Sequence, residues 1–156
     1  MTLTSIVTNP RERTRFLKFA TVGVIGAIVD FGTFNLLSSG AGLPVVWASV
    51  FSFIAAILSN FTWNRFWTYP DSRTKPMAKQ LVQFAFVSVV GLAIRTPIVV
   101  FLERFFGRLF TGFDAPLFGI IPYQVVAENL ALAIAVIVVM FWNFFINRYW
   151  TYNDIA

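Results

Sequence analysis

Four long apolar stretches, separated by short polar segments, dominate the chain. They cover about residues 16–37, 44–66, 81–102 and 123–146. A helix of about 20 apolar residues crosses the hydrocarbon core of a bilayer, so each stretch is long enough to span a membrane. Pro44 and Pro122 stand at the starts of the second and fourth stretches, where a missing backbone N–H costs nothing. The pattern predicts an all-α membrane protein with four transmembrane helices.

Lysine and arginine residues are unevenly distributed among the segments that join these stretches. The two ends of the chain and the central connection carry nine of them: Arg11, Arg13, Arg15, Lys18, Arg65, Arg73, Lys75, Lys79 and Arg148. The third connection carries Arg104 and Arg108, and the first carries none. Cytoplasmic loops of membrane proteins are enriched in basic residues. We therefore expect both termini and the central loop to face the cytoplasm.

The composition excludes several classes of protein. The chain is 58% hydrophobic and 12% charged, whereas a soluble domain has about 25% charged residues. It is therefore neither a disordered chain nor an ordinary cytosolic enzyme. The net charge of +5 fits membrane topology better than a nucleic-acid partner. The absence of cysteine and histidine removes thiolate metal sites, the usual general base and a Ser-His-Asp triad, so we expect no enzyme and no cofactor.

The chain carries an internal duplication. Residues 60–69 and 143–152 are identical at seven of ten positions without a gap. The preceding helices align more weakly, with Phe19 matching Phe84 and Gly26 matching Gly91. We expect a cytoplasmic tail over residues 1–15 and a four-helix domain over residues 16–153. The two-helix repeats, at about residues 15–69 and 80–152, would lie parallel, related by an axis along the membrane normal.

These motifs resemble the GtrA-like family over about residues 13–153. The likeness lies in Arg15-Phe16, in the glycine-rich first helix with Asp30, and in the doubled Asn-Arg-x-Trp-Thr-Tyr ending. The resemblance implies a four-helix protein of the bacterial inner membrane. It also implies translocation of an undecaprenyl- or other polyprenyl-phosphate-linked monosaccharide between leaflets, for glycosylation of a cell-surface polysaccharide. Members are often encoded beside glycosyltransferases, which makes such an enzyme a possible partner.

Two opposite charges fall inside predicted spans. Asp30 and Arg95 are each the fifteenth residue of their stretch, at equivalent repeat positions and at similar depth. A charge there costs about 2.5–3.5 kcal/mol on insertion scales, so each needs a partner or a wet cavity. One interpretation is an ion pair that locks the repeats together. The other is a headgroup site, with Arg95 on a phosphate and Asp30 either on sugar hydroxyls or releasing Arg95.

The repeated ending is the second candidate site. Its asparagines are four residues apart and share a helix face, and an arginine follows each second one. These residues are Asn60, Asn64, Arg65, Asn143, Asn147 and Arg148. Asparagines in lipid need partners, so we expect them to bond across helices. The aromatic residues Trp67, Tyr69, Trp150 and Tyr152 suit an interfacial belt, and the arginines are either anchors or a phosphate-loading site.

Glu128 and Asn129 form a third candidate, in the outer half of the fourth helix. A membrane carboxylate marks a functional site by default, and this one suits sugar hydroxyls near an exit. It could equally pair with Arg95 or sit in water at a frayed helix end. The first repeat has valines at the equivalent positions, so the duplication gives no support.

The leading hypothesis is a flippase. The phosphate first meets Arg65, Arg148 and Lys18, then the asparagines, Asp30 and Arg95, while the prenyl chain stays among membrane lipids. Four helices enclose a small cavity, so a homodimer is plausible. The main alternative is a membrane anchor that recruits a glycosyltransferase through the central loop, where Arg73 and Lys75 lie. A small multidrug or cation exporter is disfavoured by the basic membrane interior.

Overall fold

The structure is a computed structural model that describes residues 8–72, 74–111 and 123–154. These ranges contain four long helices, which we call α1 to α4: Pro10–Asn35, Val45–Trp63, Met77–Leu109 and Tyr123–Ile146. Three of them continue as π-helical turns, at Leu36–Gly40, Asn64–Thr68 and Asn147–Thr151. All four are long and apolar enough to cross a membrane, and the described ranges contain no strand. The prediction of an all-α, four-span membrane protein is confirmed.

Helix α1 begins within the segment predicted as a tail. Asn9 is its N-cap, and the Asn9 side chain accepts a hydrogen bond from the backbone N–H of Arg11 at 3.0 Å. Pro10 occupies the first helical position, where its fixed φ is favourable. The early start places Glu12 and Arg15 on the helix, and both are buried. The apolar stretch alone, which begins at residue 16, gave no sign of this extension.

The chain forms two compact units, each described by itself. The first comprises Met1–Phe86 and Phe144–Ala156. Its core contains edge-to-face ring pairs, with centroids 5.6 Å apart for Phe19 and Phe144 and 5.9 Å apart for Phe61 and Phe84. Such contacts add to the stabilisation from burial alone. Many large apolar side chains on the helices remain exposed, as expected for surfaces that face lipid.

The second unit, Val87–Asn143, contains the remaining parts of α3 and α4. On α4 the alanines at positions 127, 131 and 135 are buried along one face. Small residues four apart let helices approach closely in a membrane. Trp142 donates its indole N–H to the carbonyl of Val87 at 3.4 Å. A similar stripe is buried in the first unit, where α2 carries Ala48, Ser52 and Ala56.

A glycine faces an asparagine within each unit. A Cβ added to Gly26 would lie 2.2 Å from Oδ1 of Asn60, and one added to Gly91 would lie 3.1 Å from Oδ1 of Asn143. The repeat alignment pairs these glycines with each other, and likewise the asparagines. Each glycine therefore leaves the space that the asparagine side chain of the other helix occupies.

Substituting Gly26 tests this close approach. We expect Gly26→Ala to lower the free energy of unfolding by about 1–3 kcal/mol, because the new methyl group displaces the Asn60 amide. In an Asn60→Ala background the cost should fall below about 0.5 kcal/mol, because the obstructing group is gone. Gly23→Ala is the matched control, since no atom lies within 4 Å of its added Cβ. Denaturant titration of the four variants measures the coupling, and equal costs in both backgrounds would contradict the contact.

Candidate functional site

Buried polar side chains accumulate at one end of the first unit, around the ends of the repeated motif. The buried members are Glu12, Arg15, Asn64, Arg65, Thr68, Tyr69, Ser72, Gln80, Asn147, Thr151 and Tyr152. Arg148 joins them with a side chain that is 13% exposed. Arginine and glutamate are almost never fully buried unless they are paired. We call Glu12, Arg15, Arg65, Tyr69, Arg148 and Tyr152 the arginine–tyrosine cluster.

Two π-helical turns bring the motif ends together. The backbone N–H of Tyr69 donates to the carbonyl of Asn64 at 2.8 Å, and that of Tyr152 donates to the carbonyl of Asn147 at the same distance. Each bond spans five residues, one more than in an α-helix, and such turns are frequent at functional sites. The rings of Tyr69 and Tyr152 stack with centroids 4.4 Å apart and planes at 20°.

The prediction of an aromatic belt is wrong for the two tyrosines. Both are fully buried in the first unit, whereas Trp67 and Trp150 are 37% and 42% exposed. The extra residue in each π-turn changes the direction of the side chain that follows it. The tyrosines therefore face each other, and only the tryptophans point outward as a belt requires.

Glu12 links two of the three clustered arginines. Its Oε1 accepts a hydrogen bond from Nη1 of Arg15 at 2.7 Å and another from Nη2 of Arg148 at 3.4 Å. Arg15 also lies 3.5 Å from a carboxylate oxygen of Asp71, whose side chain is 65% exposed. One buried carboxylate therefore stands between two guanidinium groups. The Glu12 side chain is 4% exposed, so water contributes little to this arrangement.

Arg65 lacks such a partner. It is 7% exposed, its Nη1 has no hydrogen-bond partner, and no ion pair among the described residues includes it. Further buried polar atoms of this end also lack partners: Oε2 of Glu12, Oδ1 of Asn64, Oγ1 of Thr68, Oε1 of Gln80, Nε of Arg148 and the phenol oxygens of Tyr69 and Tyr152. Burial of an unpaired charged group is costly, and most of these atoms are hydrogen-bond donors. The arginine nitrogens, the Thr68 hydroxyl and the two phenols are thus buried groups that can donate a hydrogen bond and have no acceptor within the described residues.

Both phenols are protonated at neutral pH, and burial moves the pKa of each further above its ordinary value. Burial raises the pKa of Tyr69, which Arg148 lowers in part and Glu12 raises further. Burial also raises the pKa of Tyr152, with a further rise from Tyr69 and an opposing effect from Arg65. Each tyrosine thus feels the arginine of the other repeat. Both hydroxyl groups remain protonated at neutral pH and can donate to an anion.

Two lysines cover the carbonyl ends of the motif helices. Nζ of Lys18 donates to the carbonyl of Trp67 at 3.2 Å and lies 5.5 Å from the centroid of the Trp67 ring. Nζ of Lys75 donates to the carbonyls of Trp150 at 2.9 Å and of Thr151 at 3.3 Å. Cations at helix C-termini are stabilised by the helix dipole. Lys18, predicted to meet the phosphate, therefore also caps a helix.

Asp154 joins the central loop to the end of the chain. Its carboxylate accepts hydrogen bonds from the hydroxyl of Ser72, from the hydroxyl of Thr74 at 2.6 Å and from the Thr74 backbone N–H at 3.1 Å. Burial would raise the pKa of Asp154, but the hydrogen bonds from Ser72 and Thr74 outweigh it and lower the pKa. The carboxylate is therefore ionised at neutral pH and holds the loop.

The predicted site residues divide between the two units. The first unit contains Lys18, Asp30, Asn60, Asn64, Arg65, Asn147 and Arg148, and the second contains Arg95, Glu128, Asn129 and Asn143. Within its own unit, neither Asp30 nor Arg95 forms an ion pair among the described residues. Both are half-buried. Whether they act as a structural pair or as a headgroup site stays a prediction.

Glu128 and Asn129 are exposed and use their side chains locally. Oε1 of Glu128 accepts from Nε2 of Gln124 at 3.0 Å, and Nδ2 of Asn129 donates to the carbonyl of Val125 at 2.7 Å. Among the described residues of this unit, Glu128 does not pair with Arg95. Arg73 lies outside the described residues. The described part of the chain also contains no group of three carboxylates that could hold a metal ion.

The sequence predicts no place in this cluster for four of its members. Glu12 and Arg15 fall within the predicted cytoplasmic tail of residues 1–15, and Tyr69 and Tyr152 within the predicted interfacial belt. The Asn9-Pro10 helix start and the recurrence of tyrosine at the same motif position were the available signals. Neither signal shows by itself that the four side chains meet.

The chain is similar to a known protein family and to individual proteins. The family model described as the GtrA/DPMS transmembrane domain matches residues 18–152. An uncharacterised membrane protein of Bacillus subtilis (strain 168), YngA, is 29% identical over 137 residues, which are 88% of this chain and 78% of that protein. A dolichol-phosphate mannosyltransferase of Pyrococcus furiosus is 32% identical over 83 residues, which are 53% of this chain and 23% of that protein.

Proposed function

Because this chain belongs to the GtrA/DPMS transmembrane-domain family, we propose that it moves a polyprenyl-phosphate-linked monosaccharide across the bacterial inner membrane. Membership implies a membrane function related to polyprenyl-phosphate sugars, and the four apolar helices make the chain a multi-pass membrane protein. Beyond this membership, we propose the transported molecule, a lipid-linked monosaccharide, and the direction of its transport. The sugar moves from the cytoplasmic to the outer leaflet, where it would be used to glycosylate a cell-surface polysaccharide.

One observation carries the proposal: Nη1 of Arg65 is buried and has no hydrogen-bond partner. The phosphodiester of a lipid-linked sugar bears one negative charge and accepts several hydrogen bonds. A guanidinium group binds phosphate through strong charge-assisted hydrogen bonds. The positive-inside rule predicts that this end of the first unit faces the cytoplasm. The cluster is therefore the expected loading site.

The remaining steps follow from the chemistry of the cargo. The prenyl chain stays in lipid beside exposed apolar helix faces, such as those of Val24, Ile28 and Phe31. The sugar and phosphate pass along polar groups in the spans, which include Asn60, Asp30 and Arg95. No bond is made or broken, so the protein acts as a transporter and not as an enzyme.

An anchoring function is the second candidate. The Pyrococcus furiosus mannosyltransferase shares a segment with this chain that is 23% of its length, so a related segment exists within a glycosyltransferase chain. In that case this protein would hold a separate glycosyltransferase at the membrane. Lys75, one of two basic residues proposed as a docking contact, already donates to two helix-end carbonyls. This internal role weakens the docking surface.

Transport by the purified protein tests the proposal. We expect proteoliposomes to take up a short-chain polyprenyl-phosphate hexose at least tenfold faster than empty vesicles, and Arg65→Gln to remove most of this uptake. Arg11→Gln is the matched control, because Arg11 is an exposed arginine of α1. Uptake no faster than in empty vesicles, across several sugars, would contradict the flippase. Retention of a glycosyltransferase by the same inactive preparation would favour the anchor.

A further inference from the structure

The two halves of the arginine–tyrosine cluster are related by the repeat but differ in charge. The repeat pairs Arg65 with Arg148 and Tyr69 with Tyr152. The alignment that matches Phe19 with Phe84 also matches Glu12 with Met77 and Arg15 with Gln80. The first helix of repeat 1 thus brings a carboxylate and a guanidinium group, whereas the first helix of repeat 2 brings neutral side chains at the same positions.

The half built on Arg148 already contains a carboxylate of the protein, which contacts both Arg148 and Arg15. Glu12 lies 3.4 Å from Nη2 of Arg148 and 2.7 Å from Nη1 of Arg15. These contacts tie α1 to the end of α4 inside the first unit. A bound anion would have to compete there with a carboxylate that is covalently part of the protein. The effective concentration of such an internal ligand is high, so this half is already occupied.

The half built on Arg65 has no internal anion. Gln80, which replaces the equivalent of Arg15, donates its amide Nε2 to the Ser72 hydroxyl at 2.7 Å and to the Ser72 carbonyl at 3.3 Å. It is thus engaged with the central loop. Met77, the equivalent of Glu12, is exposed and carries no charge. Nη1 of Arg65 remains buried without a partner, as does Oγ1 of Thr68 one helical turn later.

We propose that the cluster binds a single phosphate group at the Arg65 half, and that Glu12 acts as a built-in anion that closes the equivalent place beside Arg148. This inference rests on the proposed function and assigns different roles to its two motif arginines. Arg65 is the binding residue. Arg148 is a positioning residue, held with Arg15 by Glu12. A carboxylate and a phosphodiester carry the same unit charge, so each half holds one negative charge when the site is loaded.

Isothermal titration of the full chain in a non-ionic detergent tests the assignment. Dodecyl phosphate is the probe, because it joins a phosphate to a single alkyl chain, and the titration is run at about pH 5, where this monoester carries about one negative charge, as a phosphodiester does. We expect one binding site in the unmodified protein. Arg65→Gln should weaken binding at least tenfold, whereas Arg148→Gln, the same substitution at the equivalent position, should change it by less than threefold. Inorganic phosphate is titrated in parallel. If the site takes a lipid headgroup, dodecyl phosphate should bind more tightly than inorganic phosphate. If the site takes free phosphate, the two probes should bind with equal affinity.

Glu12→Gln provides an independent measurement. Removal of the internal carboxylate opens the Arg148 half, so the number of dodecyl phosphate molecules bound should rise from one to two. Glu103→Gln is the control, because Glu103 is exposed on α3. If Glu12→Gln does not fold, the two arginine variants still decide the question.

Three results would overturn the asymmetric site. They are equal losses of affinity in the two arginine variants, no binding of dodecyl phosphate to the unmodified protein, and a folded Glu12→Gln variant that still binds one molecule. Binding that follows the expected pattern without any transport would leave the asymmetric site standing and contradict only the flippase. Transport by the unmodified protein, together with equal losses of binding affinity in the two arginine variants, would support the flippase and contradict the asymmetric site.

Discussion

Arg15→Met is expected to lower the free energy of unfolding by about 3–5 kcal/mol, the range for breaking a buried ion pair by removal of one partner. The Arg15 and Glu12 side chains are 6% and 4% exposed, with nitrogen and oxygen 2.7 Å apart. After the substitution Glu12 retains only the longer contact to Arg148. Its carboxylate then stays in a poorly solvated site with little compensation, and this residual charge accounts for most of the loss.

The control for this variant lies two residues earlier. Arg13→Met removes the same charge from an exposed position of the same helix, and surface substitutions of this kind change stability by about 0.5 kcal/mol or less. Titration of micellar protein with sodium dodecyl sulfate, followed by circular dichroism, gives both values. Unfolding of the two variants at the same detergent fraction would show that the Arg15–Glu12 pair does not stabilise the fold.

The four helices were predictable because the mean hydropathy of a segment depends only on the residues within that segment. Each apolar stretch marks one span whatever the rest of the chain does, and the structure places a helix over each. The ends were less predictable. Pro10 starts α1 ahead of the apolar stretch because Asn9 caps it, and capping acts independently of hydropathy. Hydropathy therefore predicts a tail that contains Glu12 and Arg15, although both belong to the helix.

The sequence predicts the two motif arginines of the candidate site, but it does not predict which side chains contact them. Arg65 and Arg148 stand at repeated positions that sequence comparison detects directly. Their neighbours depend on where helices cross and on the π-turns that redirect Tyr69 and Tyr152. A motif read as a regular α-helix gives the wrong direction for both tyrosines. The internal pairing of Glu12 with Arg148 joins residues from opposite ends of the chain, which no local pattern reveals.

Arg95→Ala is expected to slow transport about ten- to a hundredfold. The sequence places Arg95 within a predicted span, where a phosphate crossing the hydrocarbon core would have few other partners. A hydrogen bond to a charged group contributes about 1.5–3 kcal/mol, and each 1.36 kcal/mol changes a rate about tenfold. If the crossing step is limited by exposure of the phosphate to hydrocarbon, loss of this guanidinium raises the barrier by that amount.

Two comparisons separate a crossing role from a folding or loading role. Thr96→Ala alters the next residue, whose hydroxyl donates to the carbonyl of Leu92 at 3.3 Å, and should change transport by less than about twofold. Dodecyl phosphate should bind Arg95→Ala as it binds the unmodified protein, because Arg65, Tyr152 and Thr68 are intact. Transport that falls while binding persists locates Arg95 on the path beyond the loading site. Equal losses of transport and of dodecyl phosphate binding would make Arg95 part of the loading site. Unchanged transport would show that Arg95 has a structural role only.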